Sequence, residues 1–383
     1  MYTKTLTYAP ILLAAALALV GCSGASMTSE SATDSATDSA TTSASADSDD
    51  TTADDATDGT TTTGDETSGT THTTATTEPE ECPEAAEEML ELDNGLGTLH
   101  GTLLVPEGCE PHPVVLIHVG SGPTDRDGNG PSLRTTNDSL KLLAQALQER
   151  GIASLRYDKR GISASAGAAS PDPSVLRFED FADDLGRWAQ LLRADDERFG
   201  SLTILGHSEG ALIAKVASSQ NPPAQIISLA GAGRPAGDVL REQLKAQIDG
   251  DLLDEALAII ASLENGETVA EVSAPLQSLF PPAFQPYIIS WFAYDPAMVF
   301  AELQIPALIA AGTTDIQVSL ADATLLSEAR PDADVCIIDG MNHVLKAATL
   351  DPDSQSQAYS DPSLPVVPEL VLCIVDFVAG EDP

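Results

Sequence analysis

The chain alternates between short strand-like segments and helical ones, and this alternation restricts the fold more than any other feature. Val114 to His118 is a continuous apolar run, the mark of a strand buried on both faces. Ala153 to Tyr157, Leu202 to Leu205, Ala307 to Ala311 and Asp334 to Ile338 read as further strands. Helical stretches fall between them, at Asp138 to Arg150, Phe178 to Arg193 and Ala211 to Ser218. Alternation of this kind requires right-handed crossovers and a parallel sheet with helices on both faces. Ahead of it, Met89 to Leu92 and Leu99 to Val105 read as an antiparallel leading hairpin. The pattern breaks between about Gly233 and Asp295. There Val239 to Ile248 and Leu252 to Leu263 are polar helical stretches, followed by a Pro-rich aromatic segment, Phe280 to Tyr294. This insertion (about 233–298) is either a helical cap over the sheet or a set of ordinary helices on its edge. Glu369 to Val378 is the final helix.

The globular pattern starts only near Cys82, so the expected domain is 82–383. Residues 22–81 are almost wholly Ser, Thr, Ala, Asp and Gly and carry no Lys or Arg. Such a segment buries too little apolar surface to offset its ordering entropy, and it is expected to be a disordered acidic linker. In residues 1–21, Lys4 precedes an apolar run from Ala9 to Val20, too short to favour a spanning helix. The run ends in Leu19-Val20-Gly21-Cys22, which resembles the lipobox of bacterial lipoproteins. That resemblance implies cleavage before Cys22, its acylation, and export to the cell envelope, at the outer membrane or cell surface. The membrane would then be touched through the N-terminal lipid alone.

Export would put the four remaining cysteines in an oxidising compartment. A hairpin turning near Asn94-Gly95-Leu96-Gly97 would set Cys82 opposite Cys109, and Cys336 could then meet Cys373. Buried free thiols are the alternative. With 59 Asp and Glu against 18 Lys and Arg, the formal charge is −41. So acidic a chain repels nucleic acid and anionic membrane surfaces.

The chemistry centres on Gly206-His207-Ser208-Glu209-Gly210, a G-x-S-x-G run between a strand and a helix. Alone the motif is weak, and a plain strand-to-helix turn is the ordinary reading. Its position is that of a sharp turn that lifts a nucleophilic serine above a sheet. A serine hydroxyl needs a general base, and the base an orienting acid. After Ser208 one histidine remains, His343, in a loop behind the strand that ends at Ile338. Asp315 stands at the C-terminal end of the strand Ala307 to Ala311, the sheet edge where ligands sit. Asp295 is the runner-up acid. Asp322 falls on a helix, Asp332 and Asp334 at the wrong edge, and Asp339 too close to His343.

Donors for an oxyanion are expected from the backbone N–H of Glu209 and of Ser121, with Gly122 the alternative to Ser121. His118 reads as a satisfied core histidine. Asp125-Arg126-Asp127-Gly128-Asn129-Gly130 begins like a calcium loop, but Thr136 stands where the bidentate Glu belongs. It is expected to be a polar loop at the mouth of the site, and no metal or cofactor is expected.

Taken in order, five segments carry a resemblance: Gly120 to Asn129, Arg156 to Gly161, Gly206 to Gly210, Tyr294-Asp295-Pro296 and Asn342-His343. Together they resemble a group of bacterial α/β-hydrolases that act as carboxylic-ester hydrolases. The resemblance runs from about residue 85 to the end. It implies an α/β-hydrolase fold and a Ser208, Asp315, His343 triad acting through an acyl-enzyme. The implied substrate is a small-molecule ester with a short to medium acyl chain. Val119, between His118 and Gly120, departs from the group's pattern and bears on which residue supplies the second oxyanion donor. A serine peptidase or amidase, an acyltransferase and a non-catalytic surface binding module are the competing functions.

Overall fold

The computed structural model describes residues 82–130 and 136–380. The expected signal peptide (1–21), the linker (22–81) and the lipidation residue Cys22 lie outside the described residues. Among those described, no helix is long and apolar enough to cross a membrane.

Eight strands form one sheet: β1 (Ala86–Asp93), β2 (Thr98–Val105), β3 (His112–His118), β4 (Ala153–Tyr157), β5 (Phe199–His207), β6 (Gln225–Leu229), β7 (Ala307–Gly312) and β8 (Asp334–Ile338). Their spatial order is β1-β2-β4-β3-β5-β6-β7-β8. The leading hairpin pairs antiparallel with itself and with β4, and every later neighbour is parallel. This is the expected α/β-hydrolase arrangement: a mostly parallel sheet with an antiparallel leading hairpin.

The two faces of the sheet follow from side-chain alternation along each strand. On β3, Val114 and Leu116 join one apolar cluster, while Val115 and Ile117 join the other. The first cluster is covered by α2 (Glu179–Arg193) and α3 (Glu209–Gln220), the second by α1 (Ser139–Gln148) and α10 (Pro368–Ala379). In α1 the buried set Leu140, Leu143, Ala144 and Leu147 repeats at helical spacing. In α2, Glu179 and Asp180 open the helix and Arg193 closes it, each sign facing the dipole end it favours.

The segment between β6 and β7 holds α4 (Ala236–Gln247), α5 (Gly250–Glu264), α6 (Gln285–Phe292) and α7 (Pro296–Glu302). It is called the insert below. Helix α8 (Leu320–Ala329) follows β7, and α9 (Pro352–Ser360) precedes α10.

Two elements were not expected from the sequence. Strand β6 carries Gln225 and Ser228 within its five residues, which hides its apolar character. Both polar groups are satisfied by neighbours: Thr203 Oγ1 donates to Gln225 Oε1, and Lys215 Nζ donates to Ser228 Oγ. Helix α9 has only a weak apolar stripe and is stopped at its start by the Asp351 carboxylate, which accepts from the N–H groups of Asp353 and Ser354.

Both expected disulfides are present. Cys82 joins Cys109 with Cα atoms 4.8 Å apart, and Cys336 joins Cys373 at 6.5 Å. The first closes the base of the leading hairpin, and the second fastens the edge strand β8 to α10.

Candidate active site

Strand β5 ends at His207, and α3 begins at Glu209, so Ser208 alone makes the turn. Its φ of 58° is in the left-handed region that non-glycine residues rarely occupy. The strain is held by close packing on both sides. A Cβ on Gly206 would stand 2.1 Å from the carbonyl oxygen of Gly210, and one on Gly210 would stand 2.6 Å from that of His118. The Ser208 N–H also donates to the carbonyl of Leu229 at 2.9 Å, pinning the turn to the end of β6.

His343 reaches the serine from the loop after β8. Its Nε2 lies 3.1 Å from Ser208 Oγ, and its Nδ1 lies 2.8 Å from Asp315 Oδ2. Asp315 follows β7 and is buried; its other oxygen accepts the N–H groups of Gln317 at 2.7 Å and Val318 at 3.0 Å. Three residues from three strand ends are thus brought into one hydrogen-bonded line.

The other acid candidates are engaged elsewhere. Asp295 caps α7, accepting from the N–H groups of Ala297 and Met298. Asp322 is buried against Arg234 and the Gly233 N–H. Asp332 pairs with Arg330, and Asp339 accepts from Thr313 Oγ1.

Two further residues hold the histidine, and neither was expected from the sequence. Asn342 Oδ1 accepts from the N–H groups of Val344 and Lys346, which curls the loop around His343. His207 packs its ring 4.9 Å from that of His343 and bonds the His343 carbonyl through Nε2 at 2.8 Å. A carbonyl only accepts, so Nε2 carries the proton. Burial, reinforced by the neighbouring His343, pulls the His207 pKa down to about 3 and keeps the ring neutral.

The loop after β3 lies over the serine. A Cβ on Gly120 would meet Ser208 Cβ at 3.0 Å, so glycine permits the approach. Ser121, Gly122, Ser208 and Glu209 line one wall of a cleft that encloses about 920 Å³, open solvent at its mouth included. The two residues expected to supply oxyanion donors therefore line the same cleft as Ser208. The Glu209 N–H is the first of its helix, where no intrahelical acceptor exists. Its carboxylate turns away, accepting from Tyr287 Oη at 2.6 Å. Most of the remaining lining comes from the insert and is apolar, with Leu240, Leu279, Phe280, Ile288 and Trp291 prominent.

The polar loop Asp125 to Gly130 is not at the mouth, in contrast to the sequence expectation. It is a half-buried clasp. Arg126 Nη2 bonds Asp158 Oδ2 at 2.8 Å, its N–H bonds Asp158 Oδ1, and Arg156 Nε bonds Asp127 Oδ1 at 2.6 Å. Of the carboxylates that suggested a cation loop, Asp127 is taken up by Arg156, and Asp125 accepts from the N–H groups of Asp127 and Asn129. Among the described residues no cluster of His, Cys, Asp and Glu is arranged to hold a metal ion. His118 is a core histidine, but a half-satisfied one: Nδ1 lies 2.7 Å from Tyr157 Oη, while the buried Nε2 has no hydrogen-bond partner among the described residues.

Residues 136–256 match a family described as serine aminopeptidase, S33, a stretch that includes Ser208 but neither Asp315 nor His343. The esterase EstD of Thermotoga maritima is 28% identical over 274 residues, which make up 69% of this chain and 61% of that protein. The chain therefore spans less than two thirds of that relative. Among solved structures, the Pyrococcus furiosus esterase Pf2001 is 12% identical with a TM-score of 0.48, covering 77% of this chain and 91% of that one. Est1E from Butyrivibrio proteoclasticus is 15% identical with a TM-score of 0.48, covering 76% and 99%. The strand order and the serine turn between β5 and α3 are those of an α/β-hydrolase fold.

Proposed function

We propose that the chain is a serine hydrolase that cleaves carboxylic esters of short to medium acyl length. The observation that carries this reading is the line Ser208 Oγ, His343, Asp315, with Ser208 in the lining of an apolar cleft. In the proposed reaction His343 Nε2 takes the Ser208 proton as Oγ attacks the ester carbonyl carbon. Asp315 holds Nδ1–H and stabilises the imidazolium that forms. The carbonyl oxygen, now negative, is received by the N–H groups of Glu209 and Ser121. His343 then gives its proton to the departing alkoxide, leaving Ser208 acylated. Water, activated by the same histidine, attacks the acyl carbon and restores the serine. These steps use the chain's own side chains, two backbone N–H groups and water.

The insert is read as a cap that shapes the acyl pocket. The esterase similarity supports an ester over an amide. The aminopeptidase description favours the second reading, a peptidase that holds a free amino terminus. Such a site needs a carboxylate facing the cleft. The carboxylate among the described lining residues, Glu209, accepts from Tyr287, which favours the esterase.

The deciding experiment uses the full chain with p-nitrophenyl esters of increasing acyl length and with aminoacyl p-nitroanilides. Ester hydrolysis that disappears in Ser208→Ala is expected. Turnover of the anilides alone would transfer the reading to the peptidase, and turnover of neither to a binding module.

We also propose that the protein is an exported lipoprotein anchored through Cys22 at the cell envelope. Two disulfides suit the oxidising compartment that export implies. Metabolic labelling with a fatty acid should tag the wild type and not Cys22→Ala; equal labelling would end the claim.

A further inference from the structure

Lys159 is 4% exposed, and no carboxylate bonds it directly. Its Nζ donates instead to two carbonyl oxygens of the loop over the nucleophile, those of Gly120 at 2.5 Å and Gly122 at 2.9 Å. The carbonyl between them, that of Ser121, accepts from Thr124 Oγ1 at 2.9 Å. Three consecutive carbonyls are thus each fixed by a donor.

In a trans peptide the C=O of one residue and the N–H of the next point to opposite sides of the chain. Drawing the Gly120 carbonyl down to Lys159 therefore turns the Ser121 N–H the other way. Lys159 is buried beneath the loop, while Ser121 and Gly122 line the cleft beside Ser208. We propose that Lys159 is the positioning residue of the oxyanion site, holding the Gly120–Ser121 peptide so that its N–H faces the oxygen that becomes negative during acyl transfer.

The ammonium also adds positive charge behind that peptide, which strengthens its N–H as a donor. Burial lowers the Lys159 pKa to about 8 against the opposing field of Glu209, so the group is largely cationic at neutral pH. Tyr287, on α6 of the insert, bonds Glu209 and so fixes the carboxylate that faces the ammonium. The inference rests on the proposed ester hydrolysis and deepens it, since Lys159 touches no reacting atom.

The test compares wild type with Lys159→Met, which keeps the stem and removes the donors. It uses p-nitrophenyl butyrate and an alkyl trifluoromethyl ketone, whose adduct with Ser208 places an oxyanion in the hole. We expect kcat to fall about 100-fold, as for loss of one oxyanion donor, with KM within about threefold. The ketone should bind weaker by a similar factor. If Lys159→Met does not fold, Lys159→Gln replaces it. Its donor is one bond shorter and cannot hold both carbonyls, so a loss of about tenfold is expected in kcat and in ketone affinity.

A folded variant with kcat within twofold of wild type overturns the inference. So does a lower kcat with unchanged ketone affinity, which would mark a merely structural residue. A wild type that hydrolyses no ester overturns the reading of the site itself. Ser208-dependent hydrolysis untouched at Lys159 overturns only this step.

Discussion

The strand-end floor and the insert that faces it are held by different physics. In the floor, backbone atoms meet at distances that leave no room for a side chain: Gly206 lies against Gly210, and Gly312 against Met341, where a Cβ would stand 2.0 Å from the carbonyl oxygen. The hydrogen bonds there are backbone to backbone or to a buried, single-purpose group such as Asp315 or Asn342. In the insert, the contacts are aromatic and aliphatic. Phe178 stacks on Trp291 at 6.5 Å and tilts against Tyr294 at 5.3 Å, and the surface is laced by ion pairs such as Arg241 with Glu264. Apolar packing of that kind adjusts to substitution, whereas a backbone contact at van der Waals limit does not. On the proposed reading, the floor keeps the reacting atoms in register. On the same reading, the insert varies what fits beside them.

The largest expected effect is in the floor. Gly206→Ala should unfold the turn, costing well over about 3 kcal/mol, with activity lost together with the fold. Thermal melts with far-UV circular dichroism would check it, and a midpoint within a few degrees of wild type would break the contrast. Next, Asp315→Asn keeps an oxygen for the N–H groups of Gln317 and Val318 but presents the wrong partner to His343. It should lower kcat about 10³- to 10⁴-fold with the melting midpoint nearly unmoved.

The third prediction concerns the seam between the regions, where Lys215 of α3 lies buried with its Nζ 5.0 Å from the Phe300 ring of α7. Burial lowers its pKa to about 7. Between pH 7 and about 10 the unfolded chain keeps this proton and the folded chain releases it. Stability therefore rises with pH, by roughly 1.4 kcal/mol per unit. Lys159 titrates in the same sense, so the measurement is the difference in urea midpoints between wild type and Lys215→Met. Met should flatten part of the slope and be the more stable at pH 7; parallel slopes would refute the assignment. The smallest effect belongs to the insert. Trp291→Ala should raise KM for a hexanoyl ester about tenfold while leaving the acetyl ester within about twofold. Equal losses on both esters would mean that the insert also orders the reacting atoms.

The same contrast governs what the sequence discloses. The buried strand Val114 to His118, the serine turn and the lone downstream histidine are local patterns, and each stands where its pattern places it. Asp315 was reached by its position at a strand end. Strand β6 escaped because Gln225 and Ser228 are polar by letter and satisfied only by Thr203 and Lys215, partners on other elements. The calcium-like loop was legible as polar, but the partners of its charges, Asp158 for Arg126 and Arg156 for Asp127, are apparent only once β4 is folded beside it. Lys159, Tyr287 and His207 escaped for the same reason. Their partners lie 37 to 136 residues away along the chain, and no spacing rule spans that distance.

The Cys82–Cys109 bond has a mechanical meaning as well. A pull on the chain ahead of Cys82 does not travel through the leading hairpin, because the covalent bridge hands the load straight to Cys109. From there two residues lead to β3, which is hydrogen-bonded to β4 on one side and β5 on the other. An antiparallel edge hairpin can be unzipped one bond at a time. A central strand gripped from both sides has to be sheared out with many bonds loaded at once. Any force transmitted from whatever holds the N-terminal segment thus meets the domain at its strongest ladder, and β1 and β2 are left slack.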